Sequence, residues 1–185
     1  MKIRKVLVIG AGGIGSFLIP LLYKTELYAI TVYDPDIVEL KNIPYQNFTK
    51  EDIGKNKSKV MCEKYNVKGE PYFVLVPSQV MEYDLVICCA DNLTVRRLMY
   101  KHAPAWLDLR AQGRNGAFIT HLADPSMYDT VLAGPEGSFS CQGSEWDGSN
   151  SAVHFMQVTM AGMGAEWTQR FCNKEQVGDY QTVNV

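Results

Sequence analysis

Little in these 185 residues is extreme, and each missing extreme closes a class of function. Eighteen basic residues against twenty acidic ones leave a formal charge of −2, so no long-range field draws the chain toward nucleic acid or an anionic membrane surface. Any anion must be held locally. Long apolar runs are missing too: the first, Val6–Ile9, is broken by Gly10, which leaves it too short for a bilayer span or a signal-peptide core. Cys62, Cys88, Cys89, Cys141 and Cys172 are odd in number, widely spread and without a C-x-x-C pair, which argues against a disulfide framework and a four-cysteine zinc site. His102, His121 and His154 share no ligand spacing, and there is no internal repeat or low-complexity tract. What remains is an ordinary globular composition, 46% apolar and 21% charged, for which one domain over residues 1–185 and a reducing, cytoplasmic setting are the expectations.

Within that composition, apolar runs recur at Val6–Ile9, Ala29–Tyr33, Tyr72–Val76, Leu85–Cys89 and Ala105–Leu109, separated mostly by helix-like stretches. Such alternation predicts βαβ units and a parallel sheet, an α/β core over residues 1–110. A first helix is expected from about Ile14 to Lys24, with Pro20 kinking or ending it early. A second should follow Gly54 and run to Tyr65, and a third should start on Asp91 or Asn92, either a good N-cap, and run to about His102. After residue 110 the pattern changes. Gly113–Gly116 reads as a turn, Ala117–Leu122 and Thr130–Ala133 as antiparallel strands added to the sheet edge, residues 134–150 as a long polar loop, and about Ser151 to Phe171 as a closing helix. The small residues of that helix, Ala152, Ala161, Gly162, Gly164 and Ala165, suit either close packing on its own sheet or a dimer seam.

The first strand runs straight into Gly10-Ala11-Gly12-Gly13-Ile14-Gly15, a G-x-G-x-x-G turn. Gly10 permits the tight turn, Gly12 lets backbone approach a phosphate, and Gly15 lets the next helix lie close on the sheet. Asp34, about 20 positions further on, ends the second strand where a carboxylate can accept from ribose hydroxyls. At this level NAD and ATP remain equally good ligands. Three further features favour ATP. Asp34-Pro35-Asp36 leads into a polar loop with Asn42 and Gln46; Ile53-Gly54-Lys55-Asn56-Lys57 opens a helix; and Asp91-Asn92 follows the fourth strand. In an open α/β sheet all three converge on the crevice above the strand ends. A lysine there neutralises triphosphate charge and a strand-end aspartate is a hard oxygen ligand for Mg²⁺, neither of which hydride transfer needs.

Over roughly its first two-thirds, the chain resembles the ThiF/MoeB/HesA superfamily, the ubiquitin-activating-enzyme-like adenylyltransferases. The resemblance implies a Rossmann-like, mostly parallel sheet flanked by helices, with antiparallel strands added after residue 115. It puts the nucleotide on Gly10, Gly12, Gly13 and Gly15, the ribose on Asp34, the phosphates near Asn42 and Lys57, and magnesium on Asp91; Asp36, Gln46 and Asn92 complete the nucleotide set. Arg96 matches the family's D-N-x-x-x-R string and steadies the loop. The implied activity is attack of a carboxylate on the α-phosphate of ATP, giving an acyl-adenylate and pyrophosphate, with Mg²⁺ as cofactor. The implied partner is a small carrier protein or peptide with a C-terminal carboxylate, met by a homodimer; neither nucleic acid nor membrane is involved.

Three departures qualify this. The family's Arg-Gln is here Tyr45-Gln46, and tyrosine cannot replace a fixed positive charge. Arg110 and Arg114, after the fifth strand, are the replacement candidates. Many relatives also lend an arginine from an N-terminal helix, whereas only nine residues precede Gly10 here. Of the paired-cysteine zinc module only Cys141 has a counterpart, within Ser138-Phe139-Ser140-Cys141-Gln142; Cys141 is a candidate thioester-forming nucleophile, against an ordinary loop cysteine. Trp106 and Trp167 are expected in the core, and Trp146 is free to reach a partner.

Overall fold

A computed structural model describes residues 4–133, 141–143, 146 and 148–185. Most of the expected polar loop, including Ser138-Phe139-Ser140, lies outside the described residues. Five parallel strands, β1 (Arg4–Ile9), β2 (Tyr28–Tyr33), β3 (Lys68–Glu70), β4 (Leu85–Cys88) and β5 (Trp106–Gln112), are followed by antiparallel β6 (Asn115–Thr120) and β7 (Tyr180–Asn184). One sheet results, ordered β3-β2-β1-β4-β5-β6-β7. The chain turns outward from β1 in one direction to β2 and in the other to β4, so the strand order reverses between β1 and β4 and opens a crevice at their carboxyl ends.

The helices are α1 (Gly15–Tyr23), α2 (Lys57–Tyr65), α3 (Ser78–Met81), α4 (Leu93–His102), α5 (Ser126–Leu132) and α6 (Met156–Cys172). They cover both faces because the strands alternate apolar residues to both. Val6, Val8, Ile87, Leu107 and Leu109 pack with Leu18, Met61 and Met160 on one side. Leu7, Ile9, Val86, Cys88 and Trp106 pack with Val95 and Met99 on the other. Gly164 lets α6 settle on the sheet, since a Cβ there would stand 2.6 Å from a Leu109 methyl; Gly162 meets nothing within 4 Å. The small-residue stripe therefore serves packing on its own sheet at Gly164. Trp106 and Trp167 are buried, as their composition predicts.

Pro20 does not end α1 at once: the helix continues to Tyr23. The carbonyl of Ser16, which the missing Pro20 N–H cannot serve, accepts instead from Asn47 Nδ2 at 3.1 Å. Two expected strands are corrected. Tyr72–Val76 is a loop between Pro71 and Pro77, exposed except for the buried Val74; the Gln79 side chain accepts from Leu75 N and Val76 N, at 2.7 and 3.0 Å, and donates to Phe73 O, taking the bonds a sheet would have used. The edge strand is the short β3 just before it. Thr130–Ala133 belongs to helix α5, entered through Asp124, whose carboxylate accepts from Ser126 N at 2.9 Å, and Pro125. The closing helix begins at Met156, not Ser151, because residues 150–152 form a separate 3-10 turn. No helix among the described residues is long and apolar enough to cross a membrane.

Candidate active site

Gly10 ends β1 at φ 93°, with its N–H on Tyr33 O at 2.8 Å; a Cβ there would sit 2.9 Å from Ala90 N. The turn therefore wedges between the ends of β2 and β4, which only glycine allows. A Cβ on Gly15 would fall on the carbonyl oxygen of Gly10, and one on Gly13 would stand 2.5 Å from Cys141 Sγ. Gly12 differs: its hypothetical Cβ meets only Gln46 Nε2, at 3.8 Å. Three of the four loop glycines are thus required by the protein's own packing, and the fourth faces open space. No side chain caps α1 and its first turn holds no acidic residue, so the positive helix end opens on the crevice.

Asp34 is buried at the end of β2, and its carboxylate accepts from Ala11 N at 2.6 Å and Asp36 N at 2.8 Å. It fixes the glycine loop as well as facing the crevice. Burial lifts its carboxyl above the usual range, against the downward pull of Lys57 and the two amides. Asn56 caps α2, accepting from Lys59 N at 3.1 Å, while its Nδ2 donates to the carbonyls of Asp34 and Asp36 at 2.9 and 3.0 Å. This ties the first turn of α2 to the end of β2 and delivers the buried Lys57 to the cleft, with Nζ 3.2 Å from Asp36 Oδ2.

Asn42 is more inward than expected: Oδ1 accepts from Glu39 N at 2.9 Å and Nδ2 donates to Tyr45 OH at 3.3 Å. Tyr45 is itself buried, edge-on to Trp146 with ring centroids 5.1 Å apart, and its carbonyl accepts from Gln157 Nε2 at 3.1 Å. Trp146 therefore packs on the site wall rather than standing free for a partner. Gln46 is buried beside Gly12, and its Oε1 has no hydrogen-bond partner. A buried amide oxygen without a partner costs about 1–3 kcal/mol, so it marks a place where a ligand's donor is wanted.

On the far wall Asn92 caps α4, accepting from Val95 N at 3.1 Å, and leaves Asp91 at the crevice with Oδ1 receiving Arg96 Nη1 at 3.3 Å. Arg96 is buried and also donates to Asp108 at 3.1 Å, the loop-steadying role expected for it. Arg110 lines the cleft; Arg114 does not, being exposed on the β5–β6 turn, where its carbonyl accepts from Val185 N. Cys141 also lines the cleft, against Gly13, and burial pushes its thiol up to about 11. The whole is an open cleft of about 1340 Å³ that brings together Gly10, Gly12, Gly13, Asp34, Asp36, Asn42, Gln46, Lys57, Asp91, Asn92, Arg110 and Cys141. Gly15 stands beneath it as packing.

Asp108, Gln142 and Gln157 were not singled out from the sequence. The signal for Asp108 was present, a carboxylate inside the apolar run Trp106-Leu107-Asp108-Leu109; the two glutamines gave none. As for magnesium, no cluster of three or more His, Cys, Asp or Glu able to hold a metal occurs among the described residues. One strand-end carboxylate still fits Mg²⁺, which binds through one or two carboxylates together with a substrate's phosphates.

The ThiF family matches residues 1–163. Among curated proteins, the chain is 33% identical over 111 residues to the adenylyltransferase and sulfurtransferase UBA4 of Candida albicans, covering 54% of this chain and 25% of that protein. It is 31% identical over 110 residues to the sulfur carrier protein adenylyltransferase of Thermus thermophilus, covering 54% and 41%. The chain thus spans less than half the length of either. Among solved structures, PaaA superposes with a TM-score of 0.70 at 17% identity, over 98% of this chain and 61% of that one. E. coli MccB with ATP does so with a TM-score of 0.65 at 16% identity, over 92% and 56%.

Proposed function

The chain belongs to the ThiF family, and from that premise we propose that it is an ATP-dependent adenylyltransferase acting on the C-terminal carboxylate of a small carrier protein or peptide. The observation that carries the reading is the pairing of Gly12, the loop glycine whose added Cβ would meet only Gln46 Nε2, at 3.8 Å, with the buried Lys57. That set suits a phosphate lying on the glycine loop. The relatives agree in kind, an adenylyltransferase and sulfurtransferase in Candida albicans and a sulfur carrier protein adenylyltransferase in Thermus thermophilus.

In this reading an oxygen of the acceptor carboxylate attacks the α-phosphorus of ATP. A C–O–P bond forms, the bond to the β-phosphate bridging oxygen breaks, and pyrophosphate leaves with its electron pair. Asp34 holds the loop and meets the ribose, Lys57 and the open N-terminus of α1 neutralise phosphate charge, and Arg110 supplies the cation that Tyr45 does not. Asp91 would hold Mg²⁺, which when bound offsets charge on the leaving pyrophosphate. Cys141 enters as a wall of the phosphate loop; transfer through a thioester would require a thiolate that its burial disfavours. The active form is a homodimer.

With authentic acceptor, ATP and Mg²⁺, the protein exchanges labelled pyrophosphate into ATP, and Asp91→Ala lowers the rate at least about 100-fold. Exchange unaffected by that change would remove Asp91 from the chemistry. The buried, neutral Tyr45 favours a second reading, a nucleotide-binding scaffold; it predicts tight Mg-ATP binding with no acyl-adenylate on any authentic partner.

A further inference from the structure

Asp108 has no exposed surface, yet it serves four donors: Arg96 Nε at 3.1 Å, Arg110 Nε at 3.2 Å, Arg110 Nη2 at 2.8 Å and Tyr100 OH at 2.8 Å. Tyr100 is held in turn by stacking on Trp106, with centroids 3.9 Å apart. Arg96 reaches past Asp108 to Asp91, so one arginine links the two carboxylates. Arg110 has a different place. Its side chain is 26% exposed, it lines the cleft, and its third hydrogen bond, from Nη1 to Val131 O, is 2.6 Å long.

A guanidinium carries five N–H groups in a rigid plane, and these three bonds leave two. Asp108 already shares its single charge with Arg96, so it neutralises Arg110 only in part. The arginine is thereby fixed in orientation while keeping positive charge and two donors for the cleft. We propose that Asp108 is a positioning residue that turns Arg110 into a preset oxyanion-binding fork. The proposal rests on reading the cleft as a nucleotide-activating site and goes beyond it, since Asp108 touches no substrate itself. The ligand is an oxyanion, either a phosphate of the nucleotide or the carboxylate of the acceptor; the fork geometry suits both.

The test uses ¹⁵N-labelled protein and follows the Arg110 Nε–Hε resonance, identified by its loss in Arg110→Lys. Mg-ATP, N-acetylglycylglycine and the uncharged N-acetylglycinamide are added in separate titrations. The resonance moves with one or both anions and not with the amide; a response to Mg-ATP assigns the phosphate and a response to N-acetylglycylglycine assigns the carboxylate. Asp108→Asn weakens the responding anion at least about tenfold while adenosine, the uncharged control, binds within twofold of wild type. Should Asp108→Asn fail to fold, Arg110→Lys, which keeps the charge but loses the fork, carries the same expectation. An equal response to the amide, no response at all, or anion affinities within twofold in the variants would overturn the proposal. Lys57→Ala separates it from the reading beneath: Mg-ATP binding lost there but kept in both other variants, with no carboxylate response, removes Asp108 and leaves the nucleotide site standing. Wild-type protein that binds no Mg-ATP but answers to the carboxylate does the reverse.

Discussion

Gly12 and Gly15 sit three positions apart in one motif, and the structure gives them opposite jobs. At Gly15 an added methyl would land on the Gly10 carbonyl, a backbone atom that can move only if α1 lifts off the sheet. Overpacking of that kind costs about 1–3 kcal/mol or more, and for a chain this long each kcal/mol lowers the melting temperature by about 2–4 °C. At Gly12 the added methyl meets only the Gln46 amide, 3.8 Å away, an ordinary contact, and the backbone has no positive φ to forbid alanine. The fold should tolerate it within about 1 kcal/mol, since alanine also restricts the unfolded chain. The methyl would, however, occupy the space assigned to a phosphate oxygen. Losing one hydrogen bond to a charged group is worth about 1.5–3 kcal/mol, which is roughly 10-fold to 100-fold in affinity.

Thermal melting and Mg-ATP calorimetry on both variants read the two effects separately. Gly12→Ala should melt with wild type and bind Mg-ATP weakly; Gly15→Ala should melt early. If Gly12→Ala melted as early as Gly15→Ala, the open space beside it would be an error and its glycine merely steric. If it bound Mg-ATP normally, no phosphate would lie over Gly12, and the carrying observation for the proposed function would be lost.

Two further expectations follow from titrating groups. With its thiol raised to about 11, Cys141 at pH 8 is thiolate in only about one molecule in a thousand, so iodoacetamide should label it roughly two orders of magnitude more slowly than free cysteine. Peptide mass spectrometry should show the rate climbing about tenfold per pH unit toward pH 11; fast labelling at pH 7 would revive Cys141 as a nucleophile. Burial lowers the pKa of His121, packed among Trp106, Trp167 and Phe171, below the ordinary 6.5. The unfolded chain therefore takes up a proton first as pH falls, so this group's contribution to stability is complete above pH 6.5 and is lost as pH drops through that value toward the folded pKa, at up to about 1.4 kcal/mol per pH unit. Melting temperatures between pH 7 and pH 5 should decline, and His121→Gln should flatten the slope; an equal slope would place the proton elsewhere.

The parallel core and the glycine loop were legible because each rests on local chemistry: apolar runs of strand length, glycines at fixed spacing, and Asn56 and Asn92 where helices start. The two expected strands that are not strands share a cause, side chains that satisfy backbone in place of a sheet. Tyr72–Val76 is apolar enough for a strand, but Gln79 takes its amides, and nothing local announces that bond. Thr130–Ala133 was read without the turn chemistry of Asp124-Pro125. Strand β7 is short and largely exposed, so its sequence Tyr180-Gln181-Thr182-Val183-Asn184 carries little hydrophobic signal; its pairing with β6 is tertiary. Within the site, Lys57, Asp34 and Asp91 were read from position on an element. Gln142 and Gln157 join segments distant in sequence, and Arg114 misled because its turn points away from the cleft.

Tyr45 stands where the resemblance to the family implies an arginine, and its neighbours bear on that difference. Tyr45 is buried, its hydroxyl receives Asn42, its carbonyl receives Gln157, and its ring meets the edge of Trp146. An arginine set into that position would bury a charge among the Asn42 and Gln157 amides and the Trp146 ring, at a desolvation cost of up to several kcal/mol. At Tyr45 the loop presents an uncharged side chain to the cleft. Arg110, on β5, is a cation lining the same cleft, and Asp108 repays its burial. Under the proposed function, the positive charge that Tyr45 does not carry is supplied from β5 by Arg110, braced by Asp108.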